Sequence, residues 1–302
     1  MSPDRPARPV PPVRLVACDL DGTLLEHGGR VPADLAPLLA ELQEAGVLFV
    51  PASGRSAPSV EALFAGVLPT ADGGPTVIAD NGACLVRAGR TEVAAAVPDD
   101  VVAAVVRAAR AHAAEHRRQV VVVLCTPRMA YVDCPDGPLL EEVEGYYAAA
   151  LARVPDLLEP GAEASALRGS VIKVAVADLD GAAGLADDVL APFAGAVDVV
   201  RSGAVWVDLM PQGVNKGSAL RRLQAELGVR PGETAAFGDH LNDLEMLAAA
   251  EHSYAVDGAQ PAVVAAARLR AAGPGEGGVL QVLRSWLPAS PATSEPVPGA
   301  DR

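Results

Sequence analysis

The chain has 302 residues, half of them hydrophobic, and a formal charge of −14 from 24 Lys and Arg set against 38 Asp and Glu. That length exceeds one ordinary domain and calls for either a large α/β unit or a core carrying an inserted second domain. No basic run extends beyond Arg117-Arg118, so a sequence-independent grip on nucleic acid is excluded, and no apolar stretch approaches the ~20 residues needed to cross a bilayer. The N-terminus lacks the apolar segment of a signal peptide, and Cys18, Cys84, Cys125 and Cys134 are too scattered for a Cys-x-x-Cys site. A cytoplasmic protein with reduced thiols is expected. Aromatic residues are only 3%, so Val, Leu and Ala must fill the core.

Residues 1–12 and 288–302 are rich in proline and small polar residues and read as disordered tails. Between them, strand-like and helix-like patterns alternate, which predicts an α/β fold with a mostly parallel, Rossmann-like sheet. Val13–Cys18 is the first strand, and it runs into Asp19-Leu20-Asp21-Gly22-Thr23. A helix over 33–45 follows, with Leu35, Leu38, Leu39 and Leu42 on one face and Gly46 as its stop. Strands at 47–52 and 76–79 end at Ser53-Gly54-Arg55 and Asp80-Asn81-Gly82. The middle differs: a helix over 99–118, strands at 120–125 and 129–133, a helix over 138–153, a strand at 171–177, a helix near 181–192, and strands near 197–201 and 205–210. This pattern predicts an α+β insert. A helix over 218–227 and a strand at 234–237, which ends at Gly238-Asp239, return the chain to the first texture.

Four polar clusters stand at strand ends or at a helix start, where open α/β sheets assemble their sites: Asp19/Asp21, Ser53-Gly54, Lys216 and the run Asp239 to Asp243. If Asp19, Asp21, Asp239 and Asp243 gather within roughly 5 Å, each pair repels by about 3 kcal/mol at an effective dielectric of 20. A divalent cation removes that penalty, and an all-oxygen ligand set selects Mg²⁺ over zinc. The bound cation then calls for an anion, and phosphate fits. The Ser53 hydroxyl and the N–H groups near Gly54 can hold its oxygens, and Lys216 adds charge at a helix N-terminus. The chain has 22 Arg and two Lys, so a retained Lys marks a place where a compact ammonium is needed. The other lysine, Lys173, falls in a predicted strand of the insert and reads as a solvated strand edge.

DLDGT at 19–23, SGR at 53–55, Lys216 and GDHLND at 238–243 resemble the four motifs of the haloacid dehalogenase-like hydrolases. DNGA at 80–83, GVNKGSAL at 213–220 and GDHLNDLEML from 238 are similar to the Cof-type branch, in which a large α/β cap is inserted after the third core strand. The resemblance implies a core of 13–83 plus 206–287 and a cap of 84–205. It also implies a Mg²⁺-dependent phosphatase of a small phosphorylated metabolite, such as a sugar phosphate or a phosphorylated cofactor or its precursor. Asp19 would be the nucleophile and Asp21 the general acid and base. Asp19, the Asp21 carbonyl and Asp239 would hold the metal, with Asp243 close by. Leu20 (through its main chain), Ser53, Gly54, Lys216 and Asn242 would bind the phosphoryl group. Arg128, Tyr131, Arg168 and Lys173 are the cap residues considered for substrate contact, and Glu26–Arg30 resembles the family's short flap. A phosphomutase on the same fold is the alternative enzyme, and a non-catalytic phosphometabolite-binding module the alternative outside catalysis. The presence of both Asp19 and Asp21 argues against the latter.

His112-x-x-Glu115-His116 matches a zinc pattern, but no third ligand follows it, so a solvated helix end is expected. Cys18 is expected to fill the core, and His27 and His252 have no evident partner.

Overall fold

The computed structural model describes residues 13–69, 74–159 and 161–287. The expected tails at 1–12 and 288–302 lie outside them. In chain order the first half runs β1 (Leu15–Cys18), α1 (Leu35–Glu44), β2 (Leu48–Pro51), α2 (Ala57–Leu63), β3 (Val77–Ala79), β4 (Cys84–Arg87), β5 (Arg90–Val93), α3 (Asp99–His116), β6 (Val120–Cys125), β7 (Ala130–Val132), α4 (Pro138–Tyr147) and β8 (Leu151–Arg153). There follow α5 (Ala164–Leu167), β9 (Lys173–Asp178), α6 (Ala182–Gly184), β10 (Val197–Arg201), β11 (Trp206–Pro211), α7 (Lys216–Leu227), β12 (Thr234–Gly238), α8 (Leu244–Ala248), β13 (His252–Val256), α9 (Pro261–Ala266), β14 (Leu269–Ala271) and α10 (Gly278–Arg284).

Five strands form a parallel sheet in the order β14-β13-β12-β1-β2. All four residues of β1 are buried, as expected for an apolar run covered on both faces. The predicted Leu face of α1 is its buried face. Because β1 lies between β12 and β2, the segments that follow these three strands begin side by side. This adjacency positions the site.

The second sheet has the order β10-β11-β9-β6-β7-β8 and is antiparallel except where β7 meets β8. Alternate residues of β6 face opposite ways. Val122 and Leu124 pack with Val102, Val105 and Val106 of α3. Val121, Val123 and Cys125 join Leu140 and Val143 of α4 in the cluster that continues into the parallel sheet. Both faces of the sheet are therefore covered.

The strand pairing corrects two expected boundaries. Trp206–Pro211 pairs with β9 and β10, so it belongs with the second sheet and not with the parallel core. The strand at 84–87 pairs with β3, and β3 itself touches the parallel sheet through the bridge between Ala52 and Ile78. The expected cuts at 205/206 and 83/84 thus separate strands that pair with each other, β10 from β11 and β3 from β4. The expected helix over 138–153 stops at Tyr147, because Leu151–Arg153 gains hydrogen bonds as a parallel edge beside β7. The expected helix near 181–192 is a short α turn followed by a wider π turn over Leu185–Leu190. Pro192 has no N–H to give to the carbonyl four residues earlier, so an α-helix cannot be carried through it.

Candidate active site

Asp19 begins where β1 ends, and its N–H still bonds the Phe237 carbonyl of β12 at 3.0 Å. The chain then turns tightly, with the N–H groups of Leu24 and Leu25 closing on the Leu20 carbonyl. Gly22 is required there. Its φ is +86°, and a Cβ would lie 2.5 Å from Asp239 Oδ2. Thr23 donates to Asp239 Oδ1 at 2.9 Å, tying the turn after β1 to the loop after β12 across 216 positions of chain.

α7 brings Lys216 in from below. Asn215 caps the helix by accepting the Ser218 N–H at 2.8 Å, and Ser218 Oγ accepts the Asn215 N–H in return. At the next position a Cβ on Gly217 would stand 2.2 Å from the Glu245 carbonyl oxygen, so only glycine lets the start of α7 meet α8. The Lys216 ammonium is fully buried and donates to Asp19 Oδ1 at 2.5 Å and to Asp243 Oδ1 at 2.7 Å. Asp243 Oδ2 accepts the N–H groups of Asp239 and His240, which closes the loop after β12 into a rigid turn.

Of the four carboxylates expected to gather, three do so, and the Asp21 carboxylate binds Arg55 instead. Asp19, Asp239 and Asp243 each offer an oxygen within 4.8 Å of the others. Burial, and then the neighbouring Asp243, push Asp19 well above the usual carboxyl range. The same two causes raise Asp239. Burial works against the Lys216 ammonium, but Asp19 and Asp243 outweigh it and hold its pKa above the ordinary value. Asp19 Oδ2 is buried and makes no hydrogen bond among the described residues. An orphaned carboxylate oxygen inside an all-oxygen acidic cluster fits a hard divalent cation.

Above this cluster opens a cleft of about 230 Å³, lined by Asp19, Asp21, Ser53, Gly54, Arg55, Asp239, His240 and Asn242 on one side. Tyr146, Tyr147, Ser202, Gly203, Trp206 and Asp208 line the other. Asp21 faces Arg55, which binds it bidentately at 2.8 and 2.7 Å and lies 5.4 Å from the centre of the Tyr146 ring. Asn242 donates to Asn81 Oδ1 at 2.9 Å, and Asn81 donates to Asp208 Oδ2 at 2.5 Å.

The expected site residues divide clearly. Asp19, Asp21, Ser53, Gly54, Asp239 and Asn242 line the cleft. Lys216 and Asp243 lie behind it, joined to Asp19. The Leu20 side chain is in the core. The considered cap contacts require correction. Arg128 and Arg168 are exposed and do not line the cleft. Tyr131 points to the far face of the second sheet, where its hydroxyl meets Glu163 at 3.5 Å. Its neighbours Ala130 and Val132 take the near face, as strand alternation requires. Lys173 is neither a solvated edge nor a cleft residue: it is fully buried and donates to the Gly54 carbonyl at 2.6 Å.

Arg55, Tyr146, Tyr147, Trp206 and Asp208 were not expected at the site. The only available signals were Arg55 inside the Ser53-Gly54-Arg55 motif and the clustering of scarce aromatics. Glu26–Arg30 closes as a tight loop through the Glu26 N–H and the Arg30 carbonyl, at 2.9 Å. Cys18 is buried as expected. His252, expected without a partner, bonds the Gly232 carbonyl at 3.1 Å. His112 and His116 stand ring to ring at 4.8 Å, and among the described residues they belong to no group of three metal-ligating side chains.

The family model of the haloacid dehalogenase-like hydrolases matches residues 16–283. The chain is 29% identical, over 91% of its length and 96% of the relative's, to 5-amino-6-(5-phospho-D-ribitylamino)uracil phosphatase YbjI of Escherichia coli. A solved structure from Eubacterium rectale is 28% identical and superposes with a TM-score of 0.75 over 91% of this chain and 100% of that one. A haloacid dehalogenase-like hydrolase from B. subtilis shares the fold at 22% identity, with a TM-score of 0.75 over 90% of this chain and 99% of its own. With that match spanning all four motif clusters around one cleft, the chain belongs to the haloacid dehalogenase-like hydrolases and is a phosphatase.

Proposed function

We propose that the protein is a Mg²⁺-dependent phosphatase that hydrolyses a small phosphorylated metabolite through an aspartyl-phosphate on Asp19. One observation carries this: Lys216 engages one oxygen of Asp19 and leaves the other buried, unpartnered and beside Asp239 at the floor of the cleft. That free oxygen attacks phosphorus in line, and the bond from phosphorus to the ester oxygen breaks as the acyl phosphate forms. Asp21 is the general acid: it must first leave the Arg55 fork and take up a proton, which it then gives to the departing alkoxide. It then takes a proton from water, which attacks phosphorus, frees inorganic phosphate and restores the Asp19 carboxylate. Ser53 Oγ, the Gly54 N–H and the Asn242 amide hold the non-bridging oxygens, and Lys216 fixes the orientation of Asp19.

Asp19, Asp239 and the Asp21 main-chain carbonyl would hold Mg²⁺, with Asp243 in reach. The bound cation would offset the charge between an anionic nucleophile and an anionic ester. The second sheet and α4 act as the cap in this proposal, covering the cleft with Tyr146, Tyr147 and Trp206. These rings suit the sugar or heterocyclic part of a metabolite. The E. coli relative named for a phosphorylated ribitylaminouracil supports a substrate of that size. Arg55 is the one cationic side chain lining the cleft among the described residues, and Asp21 engages it. A second, basic phosphate site of the kind a mutase needs is therefore not favoured.

The test is a phosphate-release screen over phosphorylated metabolites with Mg²⁺ and with EDTA. Hydrolysis that EDTA silences and Mg²⁺ restores is the expected outcome. Full activity in EDTA would contradict the metal assignment, and no release from any phosphomonoester would contradict the reaction.

A further inference from the structure

Ser53, Gly54 and Arg55 carry six main-chain hydrogen-bonding groups, and five are engaged. The Ser53 N–H bonds the Ile78 carbonyl, the Ser53 carbonyl takes the Asn81 N–H, and the Arg55 carbonyl takes the Asp80 N–H. The other two belong to the single peptide that joins Gly54 to Arg55. Its carbonyl accepts from Lys173 Nζ at 2.6 Å, and its N–H donates to Ser53 Oγ at 3.1 Å. The peptide is trans, so these two groups point in opposite directions. A pull on the carbonyl from one side therefore aims the N–H at Ser53 on the other. With Ser53 Oγ accepting that bond, its own proton remains to be donated. The Gly54 N–H makes no hydrogen bond among the described residues and is the second free donor at the cleft.

We propose that Lys173, reaching in from the second sheet, is a positioning residue: it orients the Gly54–Arg55 peptide and through it the Ser53 hydroxyl that binds phosphate. The proposal rests on the phosphatase function above and extends it to a residue outside the cleft. The ammonium is fully buried beside Asp80 Oδ1 at 3.1 Å, Asp208 Oδ2 at 4.0 Å and the Tyr147 ring at 5.4 Å. Two carboxylates thus compensate one buried cation, which fixes it in place. Because β9 belongs to the second sheet, seating that sheet on the core and assembling the phosphate loop become one event.

The test uses inorganic phosphate as a product inhibitor, with p-nitrophenyl phosphate as substrate and Mg²⁺ in excess. Lys173→Met is paired with Asp80→Asn, so the formal charge of the buried group is unchanged. Asn tolerates the φ of +48° at position 80. Asp80→Asn alone keeps the bond to Gly54 and should leave phosphate inhibition within about threefold of wild type. The double variant should unfold cooperatively while its phosphate Ki and its KM rise about tenfold to a hundredfold. A purely structural role would instead lower the active fraction and leave KM and Ki alone.

In a Ser53→Ala background the same double change should cost no more than about twofold further, because Lys173 acts through Ser53. If the Met pair does not fold, Lys173→Gln with Asp80→Asn replaces it. The Gln amide falls one bond short of the carbonyl and predicts the same loss. Unchanged Ki in a folded variant, or losses that multiply fully in the Ser53→Ala background, would overturn the proposal. If the wild type hydrolyses no ester, the phosphatase function fails, and phosphate binding measured by calorimetry on the same variants still decides the role of Lys173.

Discussion

At Asp19 and Asp239, burial and a neighbouring carboxylate favour the protonated form. A carboxyl whose native pKa lies above its unfolded value of about 3.9 binds more protons folded than unfolded, so its contribution to stability falls as pH rises through the raised range. Bound cation requires the ionised form and offsets that loss. The melting temperature in EDTA is therefore expected to fall from mildly acid to neutral pH. Mg²⁺ should raise it more at neutral pH, and Asp239→Asn should shrink that difference; equal Mg²⁺ shifts at both pH values would contradict the cluster's role. These acids were legible in the sequence because each stands where an apolar strand gives way to Gly and polar residues. Lys216 was legible because lysine is so scarce. Lys173 was misjudged, since the alternation Ile172-Lys173-Val174 does not reveal that both faces of its sheet are covered.

Among the elements, α7 carries the most site geometry in its first turn. Replacing the capping Asn215 by Ala removes the acceptor of the Ser218 N–H and should cost about 1 kcal/mol, or roughly 2–4 °C in Tm for a chain of this size. Because Lys216 is the next residue, a fall in kcat should accompany the loss of stability; a fall in Tm with kcat unchanged would detach the cap from the site. The long amphipathic helices and buried strands were readable from periodicity, as α1 and β1 show. The small ones were not. β8 lies in an Ala-rich run with high helix propensity, and only its edge pairing with β7 makes it a strand. The β4–β5 hairpin turns on Ala88-Gly89, both at positive φ, and alanine gives no warning of that conformation.

For the whole molecule, the decisive fact is the order β12-β1-β2, which no local pattern encodes. It places the segments after β12, β1 and β2 side by side, so that Asp239, Asp19 and Ser53 line one cleft and Thr23 reaches Asp239 across 216 positions of chain. Family resemblance implied that the four motif clusters meet at one site; periodicity alone gave only a parallel sheet with an insert. The partition between the two sheets was read less well, because β11 is apolar apart from Asp208 and could pack in either sheet. The parallel sheet supplies the acids and the phosphate loop, and the second sheet with α4 supplies the aromatic wall and Lys173. The most direct measurement is kcat for Asp19→Asn with Mg²⁺ and a phosphomonoester that the wild type hydrolyses, read beside its melting curve. The side chain keeps its size, Lys216 keeps Asp243, and a buried charge is removed, so Tm should not fall. A kcat lower by about 10⁴-fold or more is predicted for loss of the nucleophile, whereas a folded variant turning over at the wild-type rate would contradict it.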